Sequence, residues 1–253
     1  MRDIRSLGEC ISKDERKQRS GISLINGLLW LLIAGFSLAT FLIPVAVVGL
    51  LLLFNMLLSE YNVRQLQASG VAVSKEQFGQ IYCALESICA RFSITKIPRV
   101  IVLNVSQINA FALKFAQRKV IVLFSQTLEG IIDNPAELKF FLGHEIGHLA
   151  LDYGPRGIFE LYRPAAYHAA RELTCDNVGL SAAQDLEAAR HALKRIGAGN
   201  LLADKLNEPS LSQEAAYIYS GFTGWLLRQY LQYPPLGKRI ANIVDFAGEA
   251  VTL

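Results

Sequence analysis

The chain has 253 residues, a hydrophobic fraction of 52% and a formal net charge of +3. That length accommodates one sizeable domain and a small accessory element. The charge is too weak to build a phosphate-binding surface, and there is no basic stripe with interleaved aromatics, so nucleic acid is excluded as a partner.

The apolar excess concentrates in residues 21–59, a run of 39 positions without a charge that follows a polar segment over residues 1–20. As one helix the run would extend about 58 Å at about 1.5 Å per residue, far beyond a hydrocarbon core of about 30 Å. Two helices fit, and Pro44 is their natural divider because it lacks a donor and disfavours helix in the residue before it. The sequence therefore predicts a transmembrane helical hairpin, roughly 22–41 and 44–59. A cleaved signal peptide fits poorly, since twenty polar residues precede a run that is too long. A hairpin buried in a soluble core is the other alternative. Arg2, Arg5, Lys13, Arg16, Lys17 and Arg19 precede the first span, and the turn carries no charge. The positive-inside rule then puts the N-terminus in the cytoplasm, and the hairpin returns residues 60–253 to the same side. The four cysteines, Cys10, Cys83, Cys89 and Cys175, are scattered without paired spacing, as free thiols in a reducing compartment would be.

Beyond the hairpin, Ser74-Lys-Glu-Gln77 has the form of a capping box. Phe78, Ile81, Leu85, Ile88 and Phe92 recur behind it at helical spacing, which predicts a helix over 75–93. Arg99–Leu103, Asn109–Phe115 and Lys119–Phe124 are short runs rich in β-branched and aromatic residues and predict a small three-stranded sheet. Asn134-Pro135-x-Glu137 combines a cap, a first-turn proline and an acid, so a helix begins there and runs to about Asp152, before Gly154-Pro155. From 158 onward the pattern is helical, with breaks near Gly197–Asn200, at Pro209 and at Pro234-Pro235. The apolar segment Gly221–Tyr230 reads as core packing, with the lining of a cleft as its alternative. The fold class is α+β: a membrane hairpin joined to a mainly helical domain with a small sheet.

His144-Glu145-Ile146-Gly147-His148 is H-E-x-x-H within the predicted helix 135–152. Spacing of i and i+4 stacks both imidazoles on one helix face, where they can bind one zinc ion. Glu145, beside that face, can act as general base toward zinc-bound water. A catalytic zinc wants a third protein ligand and an open position. The extended form with a histidine at 154 is ruled out by Gly154. Glu172 and Asp176, four apart on a later helix, form the best source, with one ligating and the other supporting a ligating histidine. Asp152 and His168 remain rivals on spacing alone.

With these residues in view the chain resembles the HtpX-like membrane zinc endopeptidases, the gluzincin group that includes the CAAX prenyl protease. The resemblance rests on Asn109-Ala-Phe-Ala112, Ile97-Pro-Arg-Val100, His144-Glu-Ile-Gly-His-Leu-Ala150, Glu172-x-x-x-Asp176 and Tyr233-Pro-Pro-Leu-x-x-Arg239-Ile240. It implies a zincin domain over 60–253, with His144, His148 and Glu172 holding one zinc, Glu145 as base, and Asp176 and Arg239 supporting the site. It further implies that Asn109, Ala110, Phe111 and Ala112 lie on an edge strand that pairs with an extended polypeptide substrate. Tyr233 stands where the family usually has a histidine thought to steady the oxyanion, and a phenol can donate the same hydrogen bond. Only 23 residues separate His148 from Glu172, so this looks like a shorter member with an N-terminal hairpin alone. The expected function is a zinc-dependent endopeptidase that cleaves proteins by Glu-assisted attack of zinc-bound water, in membrane protein quality control. Its expected partners are a polypeptide substrate and the lipid bilayer of a bacterial cytoplasmic membrane. A catalytically impaired adaptor and a specialised precursor-processing protease are the alternatives.

Overall fold

The computed structural model describes residues 6–40, 42–104, 110–115, 118–151, 162 and 164–248. Helix α1 (Lys13–Ala39) begins at Ser12, whose hydroxyl accepts the Glu15 N–H, and α2 (Ile43–Ser69) returns antiparallel to it. Between them Leu42 adopts a left-handed conformation, and Pro44 sits in the first turn of α2, where a missing donor costs nothing. Both helices are long and apolar enough to cross a bilayer, and their apolar stretches are largely uncovered by the rest of the chain. Each also runs well past the uncharged segment, so neither residue 20 nor residue 59 marks a break in the backbone.

The two extensions have different purposes. The C-terminal part of α2 brings Val63 and Leu66 against Ile101, Leu103, Val120, Val122 and Phe124, on one face of the sheet. The opposite face, with Val100, Val102, Ile121 and Leu123, packs on α3 (Gly79–Arg91), α4 (Ser125–Ile131) and α5 (Pro135–Ala150) through Ile81, Leu85, Ile88, Leu128, Leu142 and Ile146. The sheet has four strands among the described residues, one more than expected from sequence. These are β1 (Val71–Ala72), β2 (Arg99–Leu103), β3 (Ala110–Phe115) and β4 (Arg118–Phe124), in the order β1-β2-β4-β3. β2 and β4 are parallel, while β3 runs antiparallel to β4 and forms an edge. A two-residue strand leaves no periodic signal, which is why β1 was not expected.

The capping-box segment departs from expectation as well. Gln77 N–H does donate to the Ser74 hydroxyl at 3.2 Å, yet the Gln77 side chain reaches the Ala72 carbonyl at 2.6 Å. Residues 74–77 close into a turn, Phe78 is left-handed, and α3 starts only at Gly79.

Among the described residues five further helices follow: α6 (Ala165–Ala183), α7 (Leu186–Ala198), α8 (Glu208–Ile218), α9 (Gly221–Tyr230) and α10 (Leu236–Ala247). Pro209 opens α8 and does not break it. A second core joins α5, α6, α7 and α10 through Phe140, Leu180, Ala189, Leu193, Ile240 and Ile243. Helix α9 is not core packing: of its residues only Gly224 is buried.

Candidate metal centre

The centre forms where α5 meets α6, and glycines set how close these helices come. A Cβ at Gly147 would stand 3.1 Å from Cys175 Sγ and 3.2 Å from its Cα. A Cβ at Gly143 would stand 2.6 Å from Ala182 Cβ, and one at Gly179 would stand 2.7 Å from the Phe140 carbonyl oxygen. Larger residues would wedge the helices apart. Asn134 starts α5 in register by accepting the N–H groups of Ala136 and Glu137.

On this pair the structure brings His144, His148 and Glu172 together, with their candidate ligand atoms all within 4.8 Å of one another. The two imidazoles face each other through Nε2 at 3.1 Å. Glu172 offers one carboxylate oxygen to each, Oε2 to His144 Nε2 and Oε1 to His148 Nε2, both at 3.4 Å. Tetrahedral ligands held at about 2.0–2.1 Å from an ion lie about 3.3–3.4 Å apart, so the donor spacing suits zinc. His168 lies one turn before Glu172 on α6 and is outside this group, while Asp152 falls outside the described residues.

Behind the donors a charged chain orients His144. Its Nδ1 meets Asp176 Oδ1 at 3.0 Å, and Asp176 accepts Arg239 Nε at 2.8 Å and Nη2 at 2.7 Å. All three groups are buried. Burial works to raise the Asp176 pKa, but the Arg239 charge and hydrogen bonds bring it down to about 2. Burial works to lower that of His144, and its bonds to Asp176 and Glu172 carry it up to about 10. His148 is held down to about 4 by burial and by the charge on His144. Glu172 is buried too, yet its hydrogen bond to His144 keeps its carboxyl below the usual range.

Glu145 differs from every other acid here. It is 4% exposed, and its Oε2 has no hydrogen-bond partner among the described residues. Burial pushes its pKa up to about 7. Tyr233 precedes α10 and is 63% exposed; partial burial and the charges of Glu172 and Glu145 raise its pKa. Of the expected substrate strand, Ala110, Phe111 and Ala112 belong to the edge strand β3, and Asn109 falls outside the described residues.

Residues 75–154, the segment that carries both histidines and Glu145, match peptidase family M48. Glu172, Asp176 and the Tyr233–Arg239 segment lie beyond the matched residues, so their relation to that segment is tertiary. The chain is also 27% identical over 185 residues to the plastoglobule-localized metallopeptidase 48, chloroplastic, of Arabidopsis thaliana. That similarity covers 63% of this chain, which spans about half (53%) of the relative's length. No solved structure matches the chain.

The candidate centre has one set of supports that sequence reading missed. Residues 10–26 lie along α6, the helix that carries Glu172. Ser12 N–H donates to Thr174 Oγ1 at 2.9 Å, Thr174 donates to Glu15 Oε2 at 2.5 Å, and Asn177 Nδ2 donates to the Cys10 carbonyl at 2.9 Å. Cys10, Ser12, Glu15, Thr174 and Asn177 are all buried. The available signal was Ser12-x-x-Glu15 ahead of a helix, the form of a capping box. An acid in that form is expected to stay near its cap, and here it faces another helix.

Proposed function

We propose that this chain is a membrane-anchored, zinc-dependent endopeptidase, with α1 and α2 spanning the bilayer and the M48 domain on the cytoplasmic side. The convergence of two imidazoles and one carboxylate beside a buried glutamate, whose Oε2 has no partner among the described residues, carries this reading. His144, His148 and Glu172 would hold the ion, and Asp176 with Arg239 would keep His144 in the tautomer that ligates. Zinc bound there would supply a Lewis acid that polarises the peptide carbonyl and acidifies water. Glu145 follows His144 on the same helix, and its free oxygen would accept a proton from the attacking water. Tyr233 would donate a hydrogen bond to the oxygen of the tetrahedral intermediate. The free edge of β3 would bind an extended polypeptide by adding it as a strand, with Asn109–Ala112 as the contact. Proteins in or at the membrane, met during quality control, are the substrate class that such an anchor favours.

The test is casein hydrolysis by the purified full chain, with zinc measured per chain. Activity should be lost with a chelator and restored by zinc. Glu145→Gln should keep its zinc while kcat falls about 10²- to 10⁴-fold, the range for a general base. Chelator-resistant turnover, or normal turnover by Glu145→Gln, would overturn the reading.

A further inference from the structure

Helix α9 presents its apolar side outward. Gly224, the buried residue of α9, and Arg228, one turn on, lie on the side of the preceding turn: a side chain at Gly224 would collide with the Tyr219 backbone, and Arg228 donates to the Tyr219 carbonyl at 2.6 Å. The opposite side carries Phe222, Trp225, Leu226 and Tyr230, at i, i+3, i+4 and i+8. Phe222 is 74% exposed, Trp225 54% and Tyr230 73%, and the first two rings stack at 5.7 Å. Between Glu214 and Lys238 the only charged residue is Arg228. A water-facing helix has the reverse pattern.

The position of α9 says what covers it. α6 runs antiparallel to α1: Ser12 bonds Ala170 at 2.8 Å, Gln18 bonds Ala166 at 3.4 Å, and Asn26, inside the uncharged run, bonds the Tyr162 carbonyl at 3.1 Å. The N-terminal end of α6 is therefore its bilayer-facing end, and α9 packs on α6. Tyr219, just before α9, sits under the Lys238 ammonium at 5.7 Å, and Lys238 bonds Asp14 in the first turn of α1 at 2.6 Å. Asp14 stands seven positions before Gly21, where the uncharged run begins, about 10 Å of helix, which is close to the depth of a headgroup layer at about 5–8 Å per leaflet. Lys13, Arg16 and Lys17 are exposed at that level and suit anionic headgroups.

We propose that α9 is an interfacial helix that lays Phe222, Trp225, Leu226 and Tyr230 into the headgroup boundary of the bilayer that α1 and α2 span. Aromatic residues favour that layer because their rings are apolar and their polar atoms stay wet. Helix α9 ends three residues before Tyr233, so the contact would hold the mouth of the metal centre at the membrane surface. The proposal rests on the membrane-anchored reading, and the chain's two tryptophans, Trp30 in α1 and Trp225 in α9, test the two separately.

The full chain is reconstituted in vesicles of phosphatidylcholine and phosphatidylglycerol, a fraction of whose lipids carry bromine near either the headgroup or the chain end. Trp30→Phe leaves Trp225 as the sole reporter, and Trp225→Phe leaves Trp30. Trp225 should lose more fluorescence to the headgroup-proximal bromines, and Trp30 more to the chain-end bromines. A quenched Trp30 beside an unquenched Trp225 would overturn the interfacial helix and leave the anchor standing. In that case blue-shifted Trp225 emission would point to a second copy or a polypeptide as the cover. Trp225 quenched mainly from the chain ends would also overturn it, as insertion instead of surface contact. An unquenched Trp30 would overturn the anchor, and the interfacial helix with it.

Discussion

Two clusters of histidine, carboxylate and arginine adjoin α5, one at each end, and their residue types are nearly the same. At the C-terminal end are His144, His148, Glu172, Asp176 and Arg239. At the N-terminal end Glu137 meets His191 Nδ1 at 2.9 Å and Arg195 Nε at 2.8 Å, and Asp204 meets His191 Nε2 at 2.6 Å. In the second cluster the carboxylates occupy opposite nitrogens of one ring, which point away from each other, so no single ion could reach all three groups. In the first, two Nε2 atoms and one carboxylate converge on a common space. Convergence of lone pairs, and not composition, distinguishes a metal centre from a structural ion-pair network. The buried acids repeat the contrast. Glu137 is bonded to Asn134, His191 and Arg195, whereas Glu145 Oε2 has no partner among the described residues.

Removing one converging donor should have the largest effect. Glu172→Ala is expected to lose both bound zinc and hydrolysis, read by metal analysis beside activity, while His168→Ala keeps both. Retained zinc in Glu172→Ala would return the third ligand to another residue. Tyr233→Phe comes next, with kcat lowered about 10²- to 10³-fold and substrate affinity nearly unchanged. Full activity there would reduce Tyr233 to a packing residue. Asp176→Asn leaves the converging donors in place and removes the carboxylate behind His144. Zinc affinity should fall about 10- to 100-fold, measured by competition with a chromogenic chelator. The smallest functional effect is expected from the other end of α5. His191→Ala should leave zinc content and kcat unchanged while lowering stability by about 1–3 kcal/mol, because Glu137 loses a buried partner. Zinc loss in that variant at a temperature where it stays folded would erase the distinction between the clusters.

Much of the centre was legible because helical geometry is local. Asn134 and Pro135 begin a helix wherever a suitable run follows, and the i, i+4 spacing then aligns His144 and His148 whatever packs nearby. The glycines at 143, 147 and 179 were in plain view too, but their meaning depends on Ala182, Cys175 and Phe140, residues distant in sequence that approach only after folding. Helix α9 was misread as core for a similar reason. An apolar segment of ten residues has the same composition whether it is buried in a core or left uncovered, and only its neighbours tell the two apart.

The sequence by itself determined the hairpin, its break just before Pro44, the α+β class, the helix that carries H-E-x-x-H, and the glutamate beside it, since each follows from contacts within a few residues. Tertiary structure alone decided that Glu172 stands 3.4 Å from both imidazoles, that Arg239 clamps Asp176 behind His144, and that Ser12 and Glu15 bind the helix carrying Glu172 through Thr174. These contacts join residues between 24 and 162 positions apart. No periodicity extends across such gaps. They exist because burying a polar group costs more than the chain can bear unless a partner is supplied, and the partner comes from whichever segment the core has placed there.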